Sequence, residues 1–279
     1  MVVNGSSIKL TISIVYYDTN YDVLNETLSS IRDAIEFARQ KLLLTSISIV
    51  IINNGLSKMK LIGLLKNLLD PDRYIWDVIE SGGNIGYGAG HNLAILNYAS
   101  DYHLIINPDV LVDRRALYAA IRYMEVNKQV GMLTPYSESI LGRKQNLCKY
   151  YPTVFRLFLR GFMPDSIRKI FEKRLRSYEV ELKDDTSCIL GQGVMVSGCF
   201  MFTRYSVLNK IRGFSPEYFV YFEDFDLSIR INQLSKIAYA HDVRIVHRGG
   251  FASRKGRAHV QLFAKSAFVF FKKYGWQWL

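Results

Sequence analysis

Apolar residues in the first half of the chain fall into short continuous runs that alternate with spaced, helical patterns. Residues 8–17 are rich in β-branched side chains and predict a first strand. Residues 47–52 form an uninterrupted apolar run, which is typical of strands covered on both faces in parallel sheets. Between these runs, residues 22–44 carry apolar side chains at alternating steps of four and three, the spacing of a helix with one buried face: Leu24, Leu28, Ile31, Ile35, Ala38 and Leu42.

Strand and helix continue to alternate up to residue 113. Helices are predicted at 57–69 and from a glycine cluster to residue 98, and strands at 74–79 and 103–107. This alternation predicts a doubly wound α/β fold with a mostly parallel sheet, whose ligands lie beyond the carboxyl ends of the strands. Four polar clusters fall at those strand ends and together predict one shared site: 18–20, 53–55, 81–92 and 107–109.

The second half of the chain contains similar elements around a less regular middle. Between residues 143 and 176, ten Lys or Arg residues stand against two acids, among several Phe and Leu, which predicts a basic helical insertion. That insertion is either a solvated helical pair or a surface that rests on an anionic membrane. The other elements predicted are a helix at 113–127, strands at 130–134, 193–204, 236–240 and 243–246, helices ending at 211 and starting at 224, and an amphipathic C-terminal helix at 259–279.

Length, charge and cysteine content limit the class of protein and the kind of partner. A length of 279 residues suits one large domain, or one domain with an appendage. The formal net charge of +11 predicts a polyanionic partner: nucleic acid, an anionic membrane or a phosphorylated ligand. No recognition-helix, zinc or RNA-binding motif is present, so nucleic acid is not the predicted partner. The three cysteines form no C-x-x-C pair, and the sequence has neither a secretory signal pattern nor a membrane-spanning apolar run. We therefore predict a cytoplasmic protein.

Three carboxylates stand in an aromatic stretch at 214–230: Glu223, Asp224 and Asp226. Carboxylates in apolar surroundings are usually paired, bound to a metal or catalytic. The apolar spacing from residue 224 onward fits a buried helix, so the acids lie in its first turn, where the helix dipole also favours acids as simple caps. These residues alone leave capping and catalysis open.

Two strand ends carry residues suited to a phosphorylated ligand. Gly86, Gly88 and Gly90 open a helix whose N–H groups could meet a phosphate, although glycines also serve tight turns and the spacing matches neither a dinucleotide fingerprint nor a P-loop. Asn107 and Asp109 offer oxygen ligands of the kind that Mg²⁺ and Mn²⁺ prefer, although Pro-Asp after a strand is also an ordinary turn.

A histidine and an arginine follow the last predicted strand. A lone histidine is usually structural, whereas His247 beside Arg248 at a strand end also suits a metal or a diphosphate.

The order of these motifs along the chain is NNG, GGNIGYGAGHN, LIINPDV, VSGCFMFTR, GFSPEYFVYFEDFDLSIR and VRIVHRGG. This set, spanning roughly residues 8–275, resembles family-2 glycosyltransferases of the GT-A fold. More narrowly, it resembles the bacterial rhamnosyltransferase-like branch that builds O-antigen and related polysaccharides. The resemblance implies a single GT-A domain with a nucleotide-sugar-binding half at 8–135, a variable segment at 136–190, an acceptor half at 191–258 and the C-terminal helix.

The resemblance also implies roles for particular residues. Asp224 is implied as the catalytic base, with Glu223 orienting the acceptor or supporting the loop, and Asp109 and His247 are implied as metal ligands. The donor is implied to bind a larger set: Tyr17, Asp18, Asn53, Asn84, Gly86, Gly88, Gly90, Asn92, Asn107 and Arg248. Asparagines at 53 and 107, where the family usually has acids, keep open a sugar-nucleotide-binding protein without catalysis.

The implied reaction is an inverting, metal-dependent transfer of a sugar from a nucleotide donor. A carboxylate takes the proton of the acceptor hydroxyl, while a metal, an arginine and backbone amides stabilise the departing diphosphate. The branch implies dTDP-L-rhamnose as donor, with a UDP-hexose as the alternative, and Mg²⁺ or Mn²⁺ as cofactor. The implied acceptor is polyprenyl-diphosphate-linked or an oligosaccharide, and the inner face of the cell membrane is a further predicted contact.

Overall fold

The computed structural model describes residues 7–17, 20–55, 58–163, 170–171, 175, 178–183, 185–249 and 257–278. The helices in these ranges are α1 (Tyr21–Arg39), α2 (Lys58–Leu68), α3 (Tyr87–Asn97), α4 (Ala116–Val126), α5 (Val154–Phe162), α6 (Tyr205–Lys210), α7 (Glu223–Asn232) and α8 (Arg257–Tyr274). The strands are β1 (Ile8–Tyr16), β2 (Leu44–Asn53), β3 (Ile75–Glu80), β4 (Tyr102–Ile106), β5 (Val110–Val112), β6 (Val130–Glu138), β7 (Lys144–Gln145), β8 (Cys148–Lys149), β9 (Cys188–Ile189), β10 (Met195–Val196), β11 (Phe200–Arg204) and β12 (Lys236–His247).

The central sheet has the strand order β3-β2-β1-β4-β11-β6-β12-β5, with β7 beside β6 and β9 beside β12. Strands β1 to β4 are parallel, β11 runs antiparallel between β4 and β6, and β12 is again parallel to β6. Strand β5 closes the edge antiparallel to β12. The predicted mostly parallel α/β sheet is therefore confirmed.

Helices cover both faces of this sheet. Helices α1, α2 and α4 bury their apolar sides on one face, and α3, α6 and α7 pack on the other. Helix α1 buries the predicted apolar positions from Leu24 to Ala38, whereas Leu42 falls in the turn after the helix. Since the carboxyl ends of β1, β2, β3 and β4 meet at one edge, the polar residues that follow them come together there.

Some predicted boundaries are corrected by the structure. The two short strands expected at 236–240 and 243–246 are one strand, β12, whose register is irregular between Ala240 and Arg244. The strand expected at 193–204 is divided into β10 and β11, because residues 197–199 leave the extended conformation. In the basic segment the structure describes β7, β8 and α5; its basic residues Arg168, Lys169, Lys173 and Arg174 lie outside the described residues.

The C-terminal helix α8 packs against α7 through aromatic side chains. Phe270 and Phe271 are buried with Phe222 and Phe225, whereas Phe268 on the same helix is exposed. Among the described helices, none combines the length and the apolar character needed to cross a bilayer.

Candidate active site

A strained turn presents the acids of α7. Tyr221 and Phe222, directly before the helix, have φ angles of 70° and 64°, a left-handed conformation that bulky residues rarely adopt. Contacts from α8 hold this turn: the ring of Phe222 lies against Phe270 and Phe263, and Ser266 Oγ donates to Val220 O at 2.7 Å. The helix therefore begins at Glu223 in one fixed orientation.

Asp224 is half-buried and bound by backbone amides. Its Oδ2 accepts from the N–H of Gly198 at 3.0 Å, and its Oδ1 accepts from Phe225 N–H at 2.9 Å. On the other side of Gly198, Tyr87 Oη donates to the Gly198 carbonyl at 2.6 Å. A Cβ at Gly198 would lie 3.3 Å from both Asp224 Cβ and Tyr87 Cε1, so a side chain there would crowd both groups.

The neighbouring acid, Glu223, has a different environment. It is buried, and within the described part of the chain no group bonds its Oε2. Burial, together with the negative charge of Asp224, raises the pKa of Glu223 well above its ordinary range. Burial also raises the pKa of Asp224, but the Gly198 N–H and the positive charge of Lys149 oppose that rise. Two interacting acids of this kind share their protons, and the surroundings favour the proton on Glu223 and the charge on Asp224.

Asp109 and His247 meet beside these acids. Pairing of β5 with β12 brings them together across 138 positions, with His247 Nε2 at 3.6 Å from Asp109 Oδ1. The N–H of Arg248 donates to Asp109 O at 3.1 Å. A Cβ at Gly249 would lie 2.5 Å from Asp109 Oδ2 and 2.9 Å from His247 Nε2, so glycine keeps the space beside this pair open.

The donor atoms of this pair fit a divalent cation that is shared with a ligand. A carboxylate oxygen and an imidazole nitrogen suit Mn²⁺, whereas Mg²⁺ prefers oxygen ligands throughout. In the ranges that the structure describes, no group of three His, Cys, Asp or Glu side chains surrounds one point. The remaining ligands of such a cation would therefore come from a bound molecule, as phosphate oxygens commonly do.

Cys199 and Tyr87 link the two pairs of side chains. The carbonyl of Cys199 accepts from Asn107 N–H at 2.9 Å, and burial raises the pKa of its thiol to about 12, helped by the charges of Asp109 and Asp224. Burial also raises the pKa of the Tyr87 phenol well above its ordinary range, and the charges of Asp224 and Asp109 add to the effect. The structure thus gathers Asp109, His247, Glu223 and Asp224 around Tyr87 and Cys199.

Tyr17 and Asn53 lie at adjacent strand ends. The ring of Tyr17 is exposed and rests on Gly55, where a Cβ would lie 2.9 Å from Tyr17 Cδ2. Asn53 is buried; its Nδ2 donates to Glu80 Oε1 at 2.9 Å, and its Oδ1 accepts from the N–H of Gly55 at 3.2 Å. Glu80, at the end of β3, thus brings a carboxylate to the position where Asn53 lacks one. Asp18 lies outside the described residues.

The glycine cluster is accounted for by packing. A Cβ would lie 2.2 Å from Phe219 O at Gly86, 2.8 Å from Phe214 Cβ at Gly88 and 2.7 Å from Val15 Cγ2 at Gly90. The N–H of Tyr87, the first residue of α3, has no partner within the helix and donates to Phe219 O at 3.0 Å. Donor contacts from these three glycines stay a prediction, since all three are buried by protein.

Asn92, a member of the predicted donor-binding set, bonds the backbone of the acidic stretch, and its contact with the donor stays a prediction. Its Nδ2 donates to Phe214 O at 2.9 Å, and its Oδ1 accepts from Phe214 N–H at 2.8 Å, so both ends of the amide hold the backbone of the acidic stretch. Asn92 therefore positions that stretch. Asn84 is exposed, and its Oδ1 accepts from Asn54 Nδ2 at 3.3 Å and from Gly86 N–H at 3.0 Å, which fixes the loop but leaves the donor contact a prediction.

Arg248 and Asn107 complete the predicted set. The Arg248 guanidinium forms an ion pair with Glu26 of α1, at the same edge of the sheet as Asp109. Sequence reasoning missed Tyr87, Gly198, Glu80 and Lys149. The S-G-C triplet before β11 was the one available signal, because a glycine at a strand start indicates close approach of another group.

Comparisons with known proteins bear on the class of this site. No protein-family model matches the chain. It is 25% identical to rhamnosyltransferase WbbL of Escherichia coli (strain K12) over 195 residues, covering 65% of this chain and 69% of that protein. It is 22% identical over 208 residues to the N-acetylglucosaminyl-diphospho-decaprenol L-rhamnosyltransferase of Mycobacterium tuberculosis (strain CDC 1551 / Oshkosh), covering 69% of this chain and 66% of that protein.

Solved structures share the fold at low sequence identity. S. aureus TarS aligns with a TM-score of 0.57 and 13% identity, over 88% of this chain and 38% of TarS. GalNAc-T7 in complex with UDP, GalNAc and Mn²⁺ aligns with a TM-score of 0.57 and 13% identity, over 87% of this chain and 43% of that one. The chain therefore spans less than half the length of either protein.

The fold and the relatives in sequence together indicate a glycosyltransferase with the GT-A fold. The predicted resemblance to family-2 glycosyltransferases is confirmed, and within it the chain is similar to proteins named as rhamnosyltransferases.

Proposed function

We propose that this protein is an inverting, metal-dependent glycosyltransferase that moves L-rhamnose from dTDP-L-rhamnose to a diphosphate-lipid-linked saccharide in bacterial surface polysaccharide synthesis. The observation that carries the proposal is the placement of Asp224, which accepts a hydrogen bond from Gly198 N–H, in the same cluster as the Asp109–His247 pair. The mycobacterial relative is named for a decaprenol diphosphate acceptor and an L-rhamnosyl transfer, which supports the acceptor and sugar classes proposed here.

In the proposed reaction the acceptor hydroxyl oxygen attacks C1 of the sugar and forms the new C–O bond as the bond from C1 to the diphosphate oxygen breaks. The hydroxyl proton moves to an oxygen of Asp224, and the bonding electrons leave with the nucleoside diphosphate. One displacement inverts the configuration at C1. Glu223 stays protonated, so it adds no second negative charge beside the base.

The other end of the site is proposed to receive the diphosphate. Asp109 and His247 would hold a divalent cation, which supplies positive charge to the departing oxygens when it is bound. The ring of Tyr17, exposed on Gly55 at the end of β1, offers a flat face for the nucleotide base. Glu80, beside Asn53, offers a carboxylate to hydroxyl or N–H groups of the nucleoside.

A UDP-hexose donor is the second candidate, because GalNAc-T7, which shares the fold, was solved with UDP, GalNAc and Mn²⁺.

We propose a cytoplasmic protein that works at the inner face of the membrane, where a lipid-linked acceptor is presented.

A panel of donors separates these candidates. We expect dTDP-L-rhamnose with Mn²⁺ to raise the thermal midpoint of the purified protein more than UDP-glucose, UDP-N-acetylglucosamine or GDP-mannose, because a ligand of the native state stabilises it by mass action. Asp109→Ala should remove the part of the stabilisation that depends on Mn²⁺, and Asp33→Ala, a surface acid on α1, is the matched control. A larger shift with a UDP-sugar would reject the rhamnosyl donor, and an unchanged Mn²⁺ effect in Asp109→Ala would remove that residue from the cation site.

A further inference from the structure

Three exposed aromatic residues form a continuous ladder at the C-terminal side of the molecule. Phe268, Trp276 and Trp278 are 56%, 43% and 65% exposed. The ring centroids of Phe268 and Trp276 are 5.8 Å apart, and those of Trp276 and Trp278 are 5.5 Å apart and stacked. We call these three residues the aromatic ladder. Exposed aromatic surface of this extent in a water-facing protein indicates a partner.

The ladder is held in place by the body of the protein. Trp276 stacks on the buried ring of Phe271 at 5.2 Å. The carbonyls of Gln277 and Trp278 accept from the first amides of α5, Val154 N–H at 2.8 Å and Phe155 N–H at 3.2 Å. The two tryptophans are therefore a preformed surface, and binding through them requires little ordering.

The side chains around the aromatic ladder carry positive charge, which indicates an anionic partner. Phe268 lies on the exposed side of α8 between Lys265, three residues before it, and Lys272, four residues after it. Residues 257–278 contain four Lys or Arg and no acid. Tryptophans flanked by lysines are typical of surfaces at the membrane–water interface, where the rings enter the headgroup layer and the cations meet anionic lipid.

We propose that the aromatic ladder, with Lys265 and Lys272, docks this protein on an anionic lipid bilayer. The ladder is also joined to the candidate active site. Tyr151 Oη donates to Gly275 O at 2.7 Å, and Tyr151 lies two residues from Lys149, whose charge acts on Asp224. Docking through the ladder places the membrane, and with it a lipid-linked acceptor, on the side of α8, whose aromatic residues pack on the turn before Asp224. This link to the acceptor rests on the proposed function, whereas the docking itself requires no catalysis.

Vesicle binding tests the proposal directly. We expect the wild-type protein to co-sediment with phosphatidylglycerol-containing vesicles and to bind pure phosphatidylcholine vesicles more weakly. The ladder variant Phe268→Ser/Trp276→Ser/Trp278→Ser should partition about tenfold less, because burial of its aromatic rings is lost. The matched control is Met59→Ser/Leu96→Ser/Val126→Ser, which removes three similarly exposed apolar side chains elsewhere and should bind as the wild type does.

Three further measurements distinguish a loss of membrane binding from a loss of folding or of catalytic activity. In Trp76→Phe the emission comes from Trp276 and Trp278 alone, and it should shift to the blue and resist acrylamide when vesicles are added. Lys272→Glu should weaken binding to anionic vesicles, whereas Lys66→Glu, the same charge change on α2, should not. Asp224→Asn should bind vesicles normally, so a failed reaction and a failed docking are told apart.

Three outcomes would overturn the proposal. The first is equal partition of the ladder variant and the wild-type protein, and the second is tryptophan emission that vesicles leave unchanged. The third is a wild-type dimer that buries the tryptophans between two copies and does not bind vesicles.

Discussion

Asp224 and Asp226 stand two positions apart in the first turn of α7, yet their surroundings differ completely. Asp226 is fully buried and accepts from Arg230 Nε at 2.7 Å, Lys273 Nζ at 2.8 Å and Tyr274 Oη at 2.7 Å. Asp224 is bonded by backbone amides and lies in the cluster that contains Tyr87. One acid fastens α8 to α7, and the other faces the site.

The difference shows that burial alone does not make an acid reactive. The oxygens of Asp226 bind two cations and a phenol, and the side chain is fully buried, so a substrate has no access to it. At Asp224 the backbone amide of Gly198 opposes the rise in pKa that burial causes. At Glu223 burial and the charge of Asp224 act together and raise the pKa well above its ordinary range. The type of partner therefore distinguishes the structural Asp226 from Asp224, the proposed base, within a single helical turn.

The largest expected effect is on catalysis. Asp224→Asn keeps the size of the side chain but removes the proton acceptor, so we expect kcat to fall by about 10²–10⁴-fold, the usual contribution of a general base. The melting temperature and the stabilisation by the donor should stay close to those of the wild-type protein. Steady-state kinetics and thermal shift measure both, and near-normal turnover would remove Asp224 as the base.

The second effect is on stability. Asp226→Asn leaves Arg230 and Lys273 without their buried anion, so we expect the free energy of unfolding to drop by about 3 kcal/mol, with kcat per folded molecule retained. Asp33→Asn, which breaks only a surface pair with Arg32, should change the free energy of unfolding by less than about 0.5 kcal/mol. Urea denaturation measures both variants. If Asp226→Asn lost turnover and kept its stability, the roles assigned to the two aspartates would be reversed.

The smallest effect is a change in pH dependence. Because the pKa of Glu223 is raised in the folded protein, the folded state binds more protons there than the unfolded state between the ordinary glutamate pKa of about 4.3 and the raised value. Glu223 therefore costs stability as the pH rises through that window. Glu223→Gln imitates the protonated acid and should raise the melting temperature more at pH 8 than at pH 5. An equal change at both values would show that Glu223 is already charged in the native protein.

Much of this architecture could be predicted because its signals are local. The apolar run of β2 and the four-and-three spacing of α1 directly indicate which residues are buried. Asp109 follows β4 and His247 ends β12, and both strand ends lie at the ligand edge of the sheet. The sequence could not show that the Asn92 side chain bonds the Phe214 backbone, because the two residues are 122 positions apart. A bond to backbone also places no demand on the residue type at position 214. Tyr87 and Gly198 were missed for the same reason: their role comes from meeting Asp224 in space.

The left-handed pair Tyr221–Phe222 has a consequence for attempts to make the enzyme more robust. The left-handed conformation costs about 1–3 kcal/mol at each of these two residues. Glycine adopts the same φ angles without that cost, so a substitution by glycine is an obvious way to stabilise the protein. The same substitution would delete the ring of Phe222 from the aromatic contacts with α8 and loosen the turn that aims Asp224. Variants of this turn with a higher melting temperature would therefore have a lower kcat. A library screened for stability alone would be enriched in such slow variants.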